Sequence, residues 1–258
     1  MLKGLILYAQ FFTRISIPVE IQHPEEKFKN NIQYFSLFGI ILGLIEAGIF
    51  WIWCQIFPIW FAWILFLIGD GIITGGFHLD ALADSADGIF SSRTVDKMLT
   101  IMKDSRLGTM GTLALLYFYA IMIGLGVCLS NAGFSISKMS LLAAVVVMYA
   151  KTGISFNFYK MKYAGKGGGL ASIWEGISTW RIVFDQIFAM VVTFLLLGIS
   201  GLISYVAVFI VAVLYRRYIY GLFSGMTGDT VGCFAEISQV VFLLVYVGIN
   251  LSNLGGML

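Results

Sequence analysis

Long apolar runs alternate with short polar breaks along this chain. Windows near 33–57, 59–77, 110–130, 136–158, 184–201, 203–222 and 233–252 are almost wholly apolar. Each is close to the roughly 20 residues that an α-helix needs to cross a hydrocarbon core of about 30 Å. The pattern predicts an all-α, polytopic helical membrane protein with about seven transmembrane helices. Pro58 joins the first two windows and "SGLIS" joins the fifth and sixth, so both turns are expected to be tight. The opening stretch "MLKGLILYAQFFTRISIP" has a basic start and a short apolar segment but no small-residue cleavage site. It reads as a retained N-terminal helix, interfacial or re-entrant. No polar linker divides the chain, so residues 1–258 are expected to form a single integral-membrane domain.

Composition agrees. The chain is 59% hydrophobic and 12% charged, about half the charged share of a soluble domain, with a mean hydropathy of +0.92. A net charge of +2 gives no reason to expect a nucleic-acid partner. Cys54, Cys128 and Cys233 are odd in number and show no paired spacing, so they read as small apolar side chains.

The placement of charge adds an orientation. Lys3, Arg14, Lys27 and Lys29 precede the first window, and Arg93, Lys97, Lys103 and Arg106 follow the second. Lys160, Lys162, Lys166 and Arg181 follow the fourth, and Arg216 and Arg217 close the sixth. With seven crossings all of these lie on one face and Lys138 alone lies on the other. The positive-inside rule makes the basic face cytoplasmic and puts the C-terminus outside. The longest polar segments, 78–109, 159–183 and 223–232, emerge on that same face, which is where chemistry is expected.

The strongest chemical signal is "GGFHLDALADSADGIF", residues 75–90. On a helix Asp80, Asp84 and Asp87 stand at i, i+4 and i+7 and share one face. Three carboxylates so placed repel one another, and the only basic candidate nearby, His78, lies on another face of that helix. A divalent cation relieves the repulsion, and hard oxygen ligands suit Mg2+ or Mn2+. The plainer account is a solvated helix start, favoured by the helix dipole. The next stretch, "IMKDSRLGTMGTLAL", adds Asp104 between Lys103 and Arg106, as a fourth candidate metal ligand flanked by cations suited to phosphate. Gly108 and Gly111 follow at a helix start, where backbone amides favour anions. Interfacial cations with small packing residues are the plainer reading there.

A third element, "SGMTGDTVGCFAE" at 224–236, surrounds Asp229 with glycines and ends on Glu236. The run "GKGGGLAS" at 165–172 reads as a flexible loop that lacks a Walker A pattern. Glu46, Asp70, Lys151 and Glu236 lie deeper in apolar segments. Such groups face a partner or a polar cavity. Lys151 pairing with a carboxylate and a substrate-lining role are both open.

These motifs together resemble the cobalamin synthase family, adenosylcobinamide-GDP ribazoletransferase. "GGFHLDALADSADGIF", "MKDSRLGTMG" and "GMTGDTVG" with a downstream Glu carry the likeness, joined by "QFFTRISIP" at 10–18 and "YFSLFGIILG" at 34–43. Ser36 stands where proline is expected, Ala81 where glycine is usual, Ser85 where threonine is usual, and Lys151 in the place of an arginine. No carboxylate is lost. The resemblance implies the last step of nucleotide-loop assembly in vitamin B12. There α-ribazole or its 5′-phosphate joins adenosylcobinamide-GDP and GMP leaves. It also implies Mg2+ and a multi-pass protein of the cytoplasmic (inner) membrane whose active site faces the cytoplasm. Asp80, Asp84, Asp87 and Asp104 would hold the metal, and Lys103 and Arg106 would clamp phosphate beside Gly108 and Asp229. Asp84, Asp87, His78 and Lys103 are the candidates for the chemistry, and the identity of the proton acceptor is open. Partners expected besides the bilayer are the two substrates; a homo-oligomer or association with other cobalamin-pathway enzymes is left open.

Two alternatives make other demands. A CDP-alcohol phosphotransferase also gathers aspartates at a helix end, but "DALADSAD" lacks the arginine of that spacing. An ion-coupled transporter would use Glu46, Asp70, Lys151 and Glu236 as its path, yet no inverted repeat is visible.

Overall fold

The computed structural model describes residues 1–165 and 170–255. The helices in chain order are α1 (Leu2–Phe12), α2 (Pro24–Asn30), α3 (Phe35–Trp53), α4 (Ile59–Thr74), α5 (Phe77–Ile89), α6 (Val95–Ile101), α7 (Thr109–Asn131), α8 (Ile136–Asn157), α9 (Thr179–Phe223) and α10 (Gly228–Gly255). Short 3-10 turns cover Ile32–Tyr34 and Leu170–Trp174. Among the described residues the only β pairing is an isolated bridge between Tyr163 and Met226.

Five of these segments are long and apolar enough to cross a membrane, and α4 with α5 makes a sixth candidate bent by 89°. The bend corrects the expected crossing at 59–77. α4 stops at Thr74, and Gly75 and Gly76 follow with φ of 66° and 68°. Two successive left-handed residues are a conformation glycine adopts without a Cβ clash. They turn the chain sharply, so the aspartate segment is a helix lying across the bundle and not part of an open loop. α10 likewise starts at Gly228, ahead of the expected 233, which puts Asp229 in its first turn.

α9 spans 45 residues and, if straight, would be about 68 Å long, more than twice the hydrocarbon thickness. It is not straight. Gly198 has φ 64° and ψ −151°, far outside the helical region. The Tyr205 hydroxyl lies 3.4 Å from Oε1 of Gln186, although 19 positions along a continuous helix would hold them about 28 Å apart. Both ends of α9 return to the same side. Arg181 donates to Gln33 Oε1 at 2.7 Å, and Arg216 donates to the Asn157 carbonyl at 2.6 Å. The reversal comes at Gly198, just ahead of the expected "SGLIS" turn.

α8 runs through the middle, buried along nearly its whole length against α3, α9 and α10. Gly39 and Gly43 bring α3 close to it, since a Cβ on Gly43 would stand 2.9 Å from the Ala144 Cα. Small residues four apart are the usual device for close helix contact in a membrane. A polar knot then ties three helices together at the basic end. Asp185 on α9 accepts from the Ser36 N–H at 2.6 Å, from the Ser36 hydroxyl at 2.8 Å and from the Ser155 hydroxyl. Gln186 donates to the Thr152 carbonyl and to Ser155, each at 2.9 Å. The Ser36 departure is thus explained here: proline has no N–H to give Asp185.

α1 is docked on the bundle. Tyr8 and Phe12 are fully enclosed, with the Tyr8 hydroxyl donating to the Phe28 carbonyl at 3.0 Å and Phe12 packed against Phe35 and Phe77.

Two outcomes follow from this packing. Asp185→Ala strands several buried donors and should lower stability in detergent by about 1–3 kcal/mol, read as a drop in the thermal midpoint. With the native cysteines replaced, Gln186→Cys with Tyr205→Cys should be joined by a short bifunctional thiol reagent. A continuous α9 would leave the pair unlinked.

Candidate active site

A cleft of about 970 Å³ opens among α1, α5, α6, the start of α10 and the chain around Tyr163 and Trp174. Its acidic wall is α5. Asp80 and Asp84, one turn apart, line the cleft, and Asp229 from the first turn of α10 completes the group. Asp84 feels the charges of Asp80, Asp229 and Asp87 together. α5 and α10 come this close because Gly232 has no side chain: a Cβ there would lie 2.7 Å from that of Ala81. The Ala81 departure is accommodated by that gap.

Asp87, expected beside Asp80 and Asp84 as a metal ligand, is committed elsewhere. Its two oxygens accept the Gly108 N–H at 2.7 Å and the Gly111 N–H at 2.8 Å, and it does not line the cleft. These are amides at the start of α7 that have no partner within their own helix. The anion expected at the α7 N-terminus is therefore the protein's own carboxylate, and Gly108 presents its amide to Asp87 in place of phosphate. Neither glycine leaves room for a Cβ beside that carboxylate.

Asp104 lies on the cleft rim with Lys103 and Ser105. Arg106 folds back on it, with Nη2 at 2.6 Å from Oδ2 and Nε at 3.0 Å from Oδ1. The Arg106 hydrogen bonds hold the Asp104 carboxyl down at about 2, so it is ionised at any physiological pH. The Arg106 side chain is 87% exposed and lies outside the cleft lining. Of the two expected phosphate clamps, only Lys103 lines the cleft, where its charge also acts on Asp229.

His78 is 3% exposed and forms part of the cleft wall, packed against Phe12 and Phe77. Its Nδ1 lies 3.5 Å from Nζ of Lys151, and its Nε2 is buried without a partner. Lys151 is fully buried behind it and faces the carboxylates of Asp70, Glu236 and Glu46. Three of the four deep ionisable residues, Glu46, Asp70 and Glu236, thus act on the fourth, Lys151. Glu236 also accepts from Gln239 Nε2 at 2.9 Å.

The aromatic and backbone parts of the site carry weaker signals in the sequence. Phe11, Phe12, Tyr163 and Trp174 supply apolar wall. The 161–165 chain is held against the start of α10 by Ala164 N–H to the Met226 carbonyl at 3.0 Å and Met226 N–H to the Lys162 carbonyl at 2.8 Å. The glycine-rich run falls largely on 166–169, outside the described residues, and Gly165 and Ala171 on either side of it line the cleft. Among the described residues no three of the His, Cys, Asp and Glu side chains stand close enough to hold one metal ion together.

Residues 4–247 match the family model described as cobalamin-5-phosphate synthase. A Listeria welshimeri protein named adenosylcobinamide-GDP ribazoletransferase is 37% identical over 95% of this chain and 98% of its own length. Proteins of that name from Clostridium novyi and Clostridioides difficile are 36% and 33% identical, each over 94% of this chain and 96% of their own lengths. No solved structure matches. With the match running nearly end to end through every helix that lines the cleft, the chain belongs to the cobalamin-5-phosphate synthase family.

Proposed function

We propose that this protein joins α-ribazole, or its 5′-phosphate, to adenosylcobinamide-GDP and releases GMP. The observation that carries the reading is the cleft itself. Asp80, Asp84, Asp229, Lys103 and Asp104 line one space with aromatic walls, in a chain that matches ribazoletransferases over almost its whole length. In the reaction the ribose 5′-oxygen forms a bond to the cobinamide-linked phosphorus. The bond from that phosphorus to GMP breaks, GMP leaves with the electron pair, and the hydroxyl proton is given up. Lys103 is the cleft cation suited to the diphosphate oxygens.

Mg2+ is the metal that fits. Among the described residues no cation is hydrogen-bonded to the hard oxygens of Asp80, Asp84 and Asp229, and the three do not form a closed ligand cage. That suits a cation bound through one or two carboxylates together with substrate phosphates. Bound there, Mg2+ would neutralise charge on the diphosphate as GMP departs. Asp80 and Asp84 are the residues best placed to hold it, with Asp229 near enough for its charge to act on Asp84. Asp87 supports them from behind by fixing α5 to α7.

We further infer that the basic face is the cytoplasmic face of the inner membrane, since Arg14, Lys103, Arg181 and Arg216 all lie toward the cleft end. Reporter fusions should then place Arg93 inside and the C-terminus outside; finding both on one side would reverse this.

Purified protein with both substrates should release GMP, lose that activity in excess chelator and regain it with Mg2+. Full turnover under chelation would remove the metal from the reading. Asp84→Asn keeps the size of the side chain and removes its charge. Because a cation held by that carboxylate would matter most as negative charge builds on the departing group, kcat should fall roughly a hundredfold or more. Glu46→Gln should change mainly stability or KM. The reverse order in a detergent assay, where no gradient exists, would favour transport.

A further inference from the structure

We propose that Phe77, with Phe11 beside it, forms the subsite for the base of α-ribazole, one helical turn from the carboxylates that would hold the metal. The inference rests on the transferase reading and adds to it the place of one substrate.

Phe77 is the first residue of α5, directly after the Gly75–Gly76 bend. It shares a face of that helix with Asp80 and Asp84, at i, i+3 and i+7, and all three line the cleft. Along the helix axis Phe77 and Asp80 are about 4.5 Å apart. The Phe77 ring is 45% exposed. Exposed apolar side chains on α9 belong to a long membrane-crossing segment and meet lipid. Phe77 opens into the cleft instead, where a ligand is the neighbour to expect.

The rings around Phe77 are steeply inclined to it. Phe11 lies at 5.4 Å and 73°, Phe12 at 5.8 Å and 79°, and His78 at 5.5 Å and 65°. Among the described residues no ring is stacked on Phe77. A half-exposed ring held by such edge contacts offers its surface to a flat aromatic ligand in offset-stacked geometry. Phe11 lines the cleft beside it.

The reaction brings a corrinoid and two bases together, and only one of these suits the position. The cleft, at about 970 Å³, has the size of a site for one drug-sized molecule, so the bulk of the corrinoid stays outside it. Between the bases, reach decides. In α-ribazole a single ribose separates the base from the hydroxyl that attacks. In adenosylcobinamide-GDP a ribose and a second phosphate separate guanine from the attacked phosphorus. With that phosphorus at Asp80 and Asp84, the riboside base is the ring that falls within a turn of α5, and guanine lies farther away. The chemistry agrees. The edge of guanine carries an amide and an amino group that need polar partners. Phe11 and Phe12 offer none, and they suit the apolar edge of the α-ribazole benzimidazole.

The test follows both substrates with full-length protein in detergent. Phe77→Leu keeps apolar bulk and removes the flat face. It should raise the KM for α-ribazole about tenfold or more, the loss typical of one removed base stack, with kcat and the KM for adenosylcobinamide-GDP changed by less than about threefold. Phe77→Tyr, which keeps the ring, should recover most of the loss, and Phe11→Leu should act in the same direction more weakly. A rise confined to the KM for adenosylcobinamide-GDP would assign the ring to guanine or the corrin and overturn the proposal. An unchanged KM for both substrates would leave the ring to lipid and overturn it as well. A second measurement needs no turnover: α-ribazole is titrated calorimetrically into wild type and Phe77→Leu, with GMP as the control. α-Ribazole should bind the variant about tenfold or more weakly, and GMP should bind both proteins alike. Equal affinity of the two proteins for α-ribazole, or none in wild type, overturns the subsite. Wild-type protein that binds α-ribazole through Phe77 yet releases no GMP would sink the transferase reading and leave the subsite standing.

Discussion

A backbone N–H with no partner costs several kcal/mol in hydrocarbon, and every helix begins with such groups. At the start of α7 two of them are met by Asp87, from a helix that lies across the bundle. That contact does two things at once. It satisfies a helix end that no residue of α7 itself caps, and it pins α5 at the angle that turns Asp80 and Asp84 into the cleft. Much of the geometry of the site depends on it. The 89° bend delivers α5 to this position, and Gly108 and Gly111 keep the space beside the carboxylate free.

The helices were legible because each apolar window is long and the breaks between them are polar. The aspartate stripe was legible because i, i+4 and i+7 share a face whatever the fold. Local spacing could not divide the three, since the partner that claims Asp87 is more than twenty residues away and reaches it only through the bend at Gly75–Gly76. Asp104 and Arg106 show the same limit. Their neighbourhood was visible, but not that the two close on each other and withdraw Arg106 from the cleft. Asp185 passed without notice because one acid near the start of an apolar run looks like a rim residue. Its partners, Ser36 and Ser155, are distant in the chain and unremarkable alone. The α9 reversal was expected in the right region, but "SGLIS" offered more turn-like residues than the lone glycine that makes it.

The deep charges illustrate a different constraint. One buried lysine among three acidic side chains is expensive to desolvate. Gln239 serves Glu236 and the Phe12 face lies against Lys151, while both oxygens of Glu46 are buried without a hydrogen-bond partner among the described residues. The cluster joins α3, α4, α8 and α10 immediately behind His78. It links the interior of the bundle to the wall of the cleft through one ring.

The hairpin in α9 bears on how the protein is made. The connections at the end of the bundle away from the cleft are the short stretch at 54–58, the turn at 132–135 and the single residue Gly198. They carry no charge, and Lys138 lies in the first turn of α8. Carrying such turns through a bilayer during synthesis moves almost no hydrated group across it. Each pair of helices can therefore enter as a unit. With the basic face cytoplasmic, as proposed, strong polarity is confined to the face that need not be translocated.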